Sequence, residues 1–368
     1  MTDIEIGIGK TGRRTYAFDD VSIVPSRRTR DRSEVSLAWE MDAYRFGLPI
    51  LSAPADSVTS PAVATEMSGL GGLGVLDLEG LWTRYEDPLP VLEQLAEVPP
   101  DEAVAALRKA YEPPVSEALV AQRVAEMKAE GIITAGALTP SRTAELHKIA
   151  IDAGLDLLVI QGSVVSAEHV STTQEPLNLK TFIAGLDTPV IVGGCANYTT
   201  ALHLMRTGAA GVLVGIGASR SRASEGVLGL GVPMATAIAD AAGARRDYLD
   251  ESGGRYVHVI ADGGMRTGAD IAKAVACGAD AVMLGLPLAH SDSAPGRGWH
   301  WSSGAYHREL PRGARLETPP IGSLEEVLVG PTARAGGSTN LAGGLRTAMA
   351  LTGYSSLKEF QKVELAVR

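Results

Sequence analysis

The stretch YVHVIADGGMRTGADIAKAVACGADAVMLGL, residues 256–286, decides the fold. It opens with an apolar, β-branched run that stops at Asp262-Gly263-Gly264. A helical stretch follows, GADIAKAVACGA (268–279), with apolar residues three and four apart and a glycine to stop it. A second apolar run, AVMLGL (281–286), comes directly after. Strand, glycine turn, helix, strand is one unit of a parallel α/β sheet. The strands are apolar almost without interruption, which implies burial on both faces.

Working outward, the unit recurs. LPILSAP (48–54), GGLGVL (71–76), IITAGAL (132–138), LDLLVIQG (155–162), PVIVGG (189–194) and GVLVGI (211–216) bring the number of such runs to eight. Amphipathic helical stretches lie between most of them: SEALVAQRVAEMKAEG (116–131), PSRTAELHKIAIDAG (140–154) and TTALHLMRTGA (199–209). Eight alternating units point to a (β/α)8 TIM barrel forming a single domain over residues 1–368. A doubly wound sheet is the alternative. Against it, no strand leads into a G-x-G-x-x-G turn with an acidic residue about 20 positions on; GLGGLG (69–74) precedes a strand instead. Residues 77–115, acidic and Pro-rich, and the long region 287–341 after strand eight interrupt the repeat. A loop region of that length at a barrel mouth suits an active site.

With 368 residues, 45% hydrophobic and 21% charged, the chain has enough material for a large core. A net charge of −10 with no basic run argues against nucleic acid or a membrane surface as partner. Two cysteines make neither a disulfide framework nor a zinc cluster, and the seven histidines show no metal-ligand spacing. No signal-type segment and no apolar run of about 18 residues is present, so a cytoplasmic protein is expected.

The candidate site residues stand where the apolar runs end. Asp262 can accept two hydrogen bonds from a ribose diol, and Gly263 and Gly264 let backbone N–H groups approach a phosphate. Asp262 as a cap for the next helix is the plainer reading. Gly285, after strand eight, fits a phosphate grip shared with strand seven. Ser52 and Asp56, after strand one, are polar at the mouth, although Asp56 and Ser57 equally suit a helix cap. Cys195 follows PVIVGG and is either a nucleophile or a packing residue; Cys277 reads as core. His169 follows strand four, and His258 lies within strand seven. Arg220 and Arg222, after strand six, either grip an anion or are solvated loop charges.

In order and spacing these stretches resemble the IMP dehydrogenase/GMP reductase family. The matching segments are YAFDDVSIVP (16–25), LPILSAPADSVT, GGLGVL, VIVGG, VGIG…VLGLGVPMATAI (214–238), VIADGGMRTGADIAKAVACGADAVMLG, APG (294–296) and NLAGGLRTAM (340–349). More narrowly the chain resembles short, bacterial IMP dehydrogenase-related proteins without the CBS pair, since 77–115 is too short to hold one. The resemblance implies a homotetramer or higher homo-oligomer. It also implies a reaction: a cysteine after strand six attacks C2 of IMP, hydride passes to NAD, and water releases XMP. The family's loop reads G-P-G-S-x-C-T-T-R, then G-x-G-V-P. Anchored on Gly217, Gly229, Gly231 and Pro233, the cysteine position falls on Arg222, the serine on Arg220 and the second threonine on Ser224. A guanidinium cannot act as that nucleophile.

Other family positions also differ. The cofactor-holding Asp is Gln161, with Ser163 beside it; the Asn after the strand-five glycines is Cys195; the Met of the strand-one motif is Ala55; and the phosphate-binding Ser is Leu286. The flap's Arg-Tyr pair is missing from 297–340, and Arg255-Tyr256 precedes strand seven. Three functions stay open. One is an oxidoreductase of purine (guanine) nucleotide metabolism with altered chemistry, Cys195 being one replacement nucleophile. Another is a non-catalytic binder of IMP, XMP or GMP that partners a true IMP dehydrogenase. The third is a barrel with an unrelated substrate.

Overall fold

In a computed structural model of the chain, the structure describes residues 3–172, 176–221, 224–307 and 313–368. The eight apolar runs form eight parallel strands: β1 Ile50–Ser52, β2 Val75–Asp77, β3 Ala135–Leu138, β4 Leu157–Gln161, β5 Val190–Cys195, β6 Gly211–Val214, β7 His258–Asp262 and β8 Ala281–Leu284. From β2 to β8 each pairs with the next in sequence, and β8 returns to pair with β1 through Val282↔Ile50, Met283↔Leu51 and Leu284↔Ser52. The β1–β2 seam is closed by a bridge between Leu51 and Leu73 and by backbone bonds in which Ser52 N–H donates to Leu73 O and Leu73 N–H to Ile50 O. The architecture is a (β/α)8 barrel.

The helices form where composition and caps agree. α1 (Pro61–Gly69) starts at Ser60, whose hydroxyl accepts from Val63 N–H, with proline at the first helical position. α2 (Glu117–Ala129) is capped by Ser116, and α3 (Pro140–Asp152) again opens on proline. α4 (Leu179–Ala184), α5 (Tyr198–Met205) and α6 (Met234–Glu251) follow β4, β5 and β6. α7 (Gly268–Ala276) carries a capping box between Thr267 and Asp270, and α8 (Leu341–Leu351) completes the ring. The strand side chains Ile50, Leu158, Val212 and Val282 have no exposed surface. Burial of each such side chain contributes about 1.5–3 kcal/mol.

At the amino ends of the strands, a hairpin of Trp39–Met41 and Tyr44–Phe46 covers the barrel. Trp39 stacks on Phe46 and meets the His258 ring edge-on. His258 therefore does a packing job, with burial lowering its basicity. At the opposite end, the two interruptions pack against each other. Residues 77–115 hold helices Leu89–Glu97 and Ala103–Ala110, and the segment after β8 holds strand Trp299–His300, paired with Leu316–Glu317. Leu81, Leu92, Leu95, Leu107 and Tyr111 from the first form a second apolar cluster with Trp301 and Ala305 from the other.

Among the described residues, no helix is long and apolar enough to cross a membrane.

Candidate active site

β6, β7 and β8 end side by side, and their loops build one face of the mouth. The Asp262 carboxylate accepts a hydrogen bond from Gln161 Nε2 at 2.8 Å. It is thus aimed across the barrel at the end of β4 and does not cap α7, whose cap is Thr267. Gly263 and Gly264 both have positive φ, 90° and 80°. The turn they make lies directly on the loop after β6. A β-carbon at Gly263 would stand 3.3 Å from the Ser219 nitrogen, and one at Gly264 would stand 3.1 Å from the Ala218 β-carbon. Only glycine combines this conformation with this approach. At the neck of the β6 loop, Gly217 and Gly231 touch backbone to backbone, so that a β-carbon on Gly217 would lie 2.8 Å from the Gly231 α-carbon.

These loops open into a cavity of about 640 Å³. Asp262, Gly263, Gly264, Gly285 and Arg220 all line it, and Gln161 and Ser163 border it from β4. Ala55, Leu286 and Arg266 line it too. Arg222 lies outside the described residues. Among the described residues no group of three His, Cys, Asp or Glu side chains is placed to hold a metal ion.

Two expected site residues are elsewhere. Ser52 is fully buried, and its hydroxyl accepts from Thr59 Oγ1 at 2.7 Å and from Val75 N–H at 3.2 Å. It stitches the β1–β2 seam, where the three-residue strands leave backbone groups to satisfy. Cys195 is not a loop residue at the mouth, because β5 runs one residue past Gly194 and pairs Cys195 with Val214. Its thiol has no exposed surface, donates to Leu213 O at 3.5 Å, and is pushed up to about 12 by burial. A thiol so placed is a poor nucleophile. Cys277 follows α7 and is likewise raised, to about 11, by burial. Neither cysteine lines the cavity. His169 is exposed and away from it. Arg255 and Tyr256 precede β7, and Tyr256 Oη donates to Asp280 at 2.7 Å.

The structure adds a group that sequence reading largely missed. Asp56 does not cap α1, whose cap is Ser60, but reaches the start of the short 3-10 helix Leu81–Thr83. One of its oxygens accepts from Tyr111 Oη at 2.5 Å and from Leu81 N–H at 2.9 Å, and the other is buried without a hydrogen bond. Burial raises its carboxyl to about 6, against the opposing pull of Tyr111 and the Leu81 amide. Asp77, at the end of β2, is raised well above the usual range, first by burial and then by Asp56 and Glu79. Both carboxyls border the same cavity. Trp301 Nε1 donates to Tyr111 Oη at 3.0 Å, and Tyr306 stacks on Tyr111. The available signal was an acidic residue closing an apolar run, as in the VLD of β2; nothing local marks Tyr111 or Trp301.

Fold and site together define a (β/α)8 barrel with a polar cavity at the carboxyl ends of its strands, between a glycine-aspartate turn and a carboxyl-aromatic wall. Residues 15–314 match the model of the IMP dehydrogenase / GMP reductase domain, and the chain belongs to that family. It is 53% identical to an "Uncharacterized oxidoreductase" of Mycolicibacterium smegmatis, over 99% of each chain. It is 26% identical to the inosine-5'-monophosphate dehydrogenase of Methanocaldococcus jannaschii, over 95% of this chain and 92% of that one. The crystal structure of an IMP dehydrogenase/GMP reductase-like protein from Corynebacterium glutamicum superposes with a TM-score of 0.94 at 48% identity, covering 100% of this chain and 98% of the other.

Proposed function

We propose that this chain binds a purine nucleoside monophosphate (IMP, XMP or GMP) at the barrel mouth, and that it does not oxidise the nucleotide through a cysteine adduct. One observation carries the reading: Asp262, Gly263, Gly264 and Gly285 line a single cavity, while both thiols of the chain lie outside it. Asp262 receives the ribose diol, and the glycine turn and Gly285 receive the phosphate. Without a thiolate the thioimidate cannot form. A regulatory or partnering role beside a true IMP dehydrogenase, in a homotetramer or mixed oligomer, follows from this reading; co-expression and co-purification would reveal it.

A second reading, an oxidoreductase using other chemistry, is favoured by Asp56. This carboxyl, raised to about 6, can hold or release a proton near neutrality inside the same cavity. NAD, the family's hydride acceptor, would then be held at the β4 side by Gln161 and Ser163. This reading is supported by the Gln161 amide donating to Asp262 at 2.8 Å and by both Gln161 and Ser163 lining the cavity.

Calorimetric titration with IMP, XMP and GMP tests the proposal. Micromolar binding of one of them is expected; no heat with any of the three would contradict it. A steady NAD-linked turnover would move the balance to the second reading.

A further inference from the structure

We propose that a second, smaller pocket at the amino end of the barrel binds a small dianion, a phosphate ester or a dicarboxylate, independently of any ligand at the mouth. The pocket has a volume of about 270 Å³ and lies between the last turns of α6 and the C-terminal segment. Arg245, Arg246, Lys358 and Lys362 line it around the Tyr256 ring. Tyr256 and the adjoining Asp280 precede β7 and β8, so this pocket and the mouth lie at opposite ends of the strands. In a chain of net charge −10, four cations gathered on one pocket are not a consequence of composition.

Two carboxylates face these four cations. Asp280 is buried beneath the pocket, and Glu359 stands at its rim. Glu359 is turned to Ser355, whose hydroxyl and N–H donate to it at 2.9 and 3.3 Å. Those bonds, and then the charges of Arg30 and Lys362, hold its carboxyl below the usual range. Arg30 is itself paired with Glu34 at 3.6 Å. His258 Nδ1 is 4.0 Å from Asp280 and does not line the pocket. Four positive charges against two negative ones leave an excess that a dianion cancels.

Asp280 cannot absorb that excess. A carboxylate offers about four lone-pair sites, and Asp280 already receives Arg245, Tyr256, Val259, Lys358 and Gln361. Lys358 Nζ stands 3.2 Å from the centre of the Tyr256 ring, and the Arg245 guanidinium 5.0 Å from it. The ammonium carries three hydrogens, reaches Asp280 at 3.2 Å, and its side chain stays 56% exposed, so it keeps hydrogens for a ligand. Arg246 and Lys362 are exposed and form no ion pair with any described residue. Leu249 and the Tyr256 ring supply apolar walls, beside which an anion is attracted more strongly than in open water.

The test is calorimetric titration with inorganic phosphate and with succinate, at constant ionic strength in chloride. It compares wild type with Arg246→Gln/Lys362→Gln, which leaves the Asp280 network intact. Wild type should bind at least one of the two anions in the millimolar range or tighter. The variant should lose about tenfold or more, in line with removal of charge-assisted hydrogen bonds. Tighter binding of phosphate identifies a phosphate ester as the ligand group, and tighter binding of succinate a dicarboxylate. Amine acylation read residue by residue then separates this pocket from the mouth. At twice its dissociation constant the anion should slow modification of Lys358 by about threefold and leave Lys148, exposed on α3, unchanged. No binding of either anion to wild type, equal affinity in the variant, or unslowed modification of Lys358 overturns the proposal. None of these results bears on the nucleotide reading, which is tested separately with IMP, XMP and GMP.

Discussion

Cys195 stands one residue further along β5 than the run PVIVGG suggests, and that single step separates a mouth thiol from a core thiol. Periodicity locates a strand to within a residue or two, while the direction of its last side chain depends on the residue count. Ser52 lies in the seam, off the cavity lining, for a related reason. Its hydroxyl was legible as polar at a strand end, but the short seam that occupies it is a property of two strands together. Asp262, Gly263, Gly264 and Gly285 were legible because each closes a strong apolar run, and all four border the cavity. If Cys195 only packs, Cys195→Ala should bind IMP within about twofold of wild type and cost about 1–2 kcal/mol of stability. In the native protein its thiol should resist an aromatic disulfide reagent and react only on unfolding. Loss of nucleotide binding or of turnover in Cys195→Ala would return it to the site.

At the scale of elements, all eight strands and the four helices read from spacing are present. Their signals are local: apolar runs, caps and glycine stops. The wall over the mouth had no local signal, because Trp301 and Tyr111 meet across 190 positions of sequence. This wall holds Asp56, and it has a measurable pH signature. Burial raises the folded carboxyl to about 6, while the unfolded chain keeps an ordinary value near 3.9. The folded state therefore binds more protons in that window, so this group's contribution falls as pH rises from about 4 to above 6. Asp77 acts in the same direction, and His258, whose basicity burial lowers, acts in the opposite one. The clean quantity is the difference between Asp56→Asn and wild type. The variant's Tm relative to wild type should increase between about pH 5 and about pH 7.5, by about 2 °C or more. A difference independent of pH would mean that Asp56 is not held in its proton-binding state.

At the scale of the whole molecule, the two ends of the barrel do different work. The amino end is locked by Asp280. Its carboxylate accepts from Arg245 at 2.6 Å, Val259 N–H at 2.8 Å, Tyr256 Oη at 2.7 Å and Gln361 Nε2 at 3.1 Å, with Lys358 at 3.2 Å. Burial alone would raise this carboxyl, but Arg245 and Lys358 outweigh it and hold it below the usual range. It thereby ties α6, β7 and the C-terminal segment to β8. Removing one partner leaves buried charge behind, so Asp280→Ala should cost about 3–5 kcal/mol in denaturant unfolding. Its stabilising effect is present above the ordinary carboxylate range and fades as pH falls through the depressed value, so the loss should shrink at strongly acid pH. Equal stability of variant and wild type at neutral pH would contradict this role.

The carboxyl end carries the proposed ligand site, whose central residue is Asp262. The most direct measurement is a calorimetric titration of IMP into the wild-type protein and into Asp262→Asn, side by side. The account predicts micromolar binding to wild type and a loss of about tenfold or more in the variant. Equal affinity of the two proteins for IMP would contradict it.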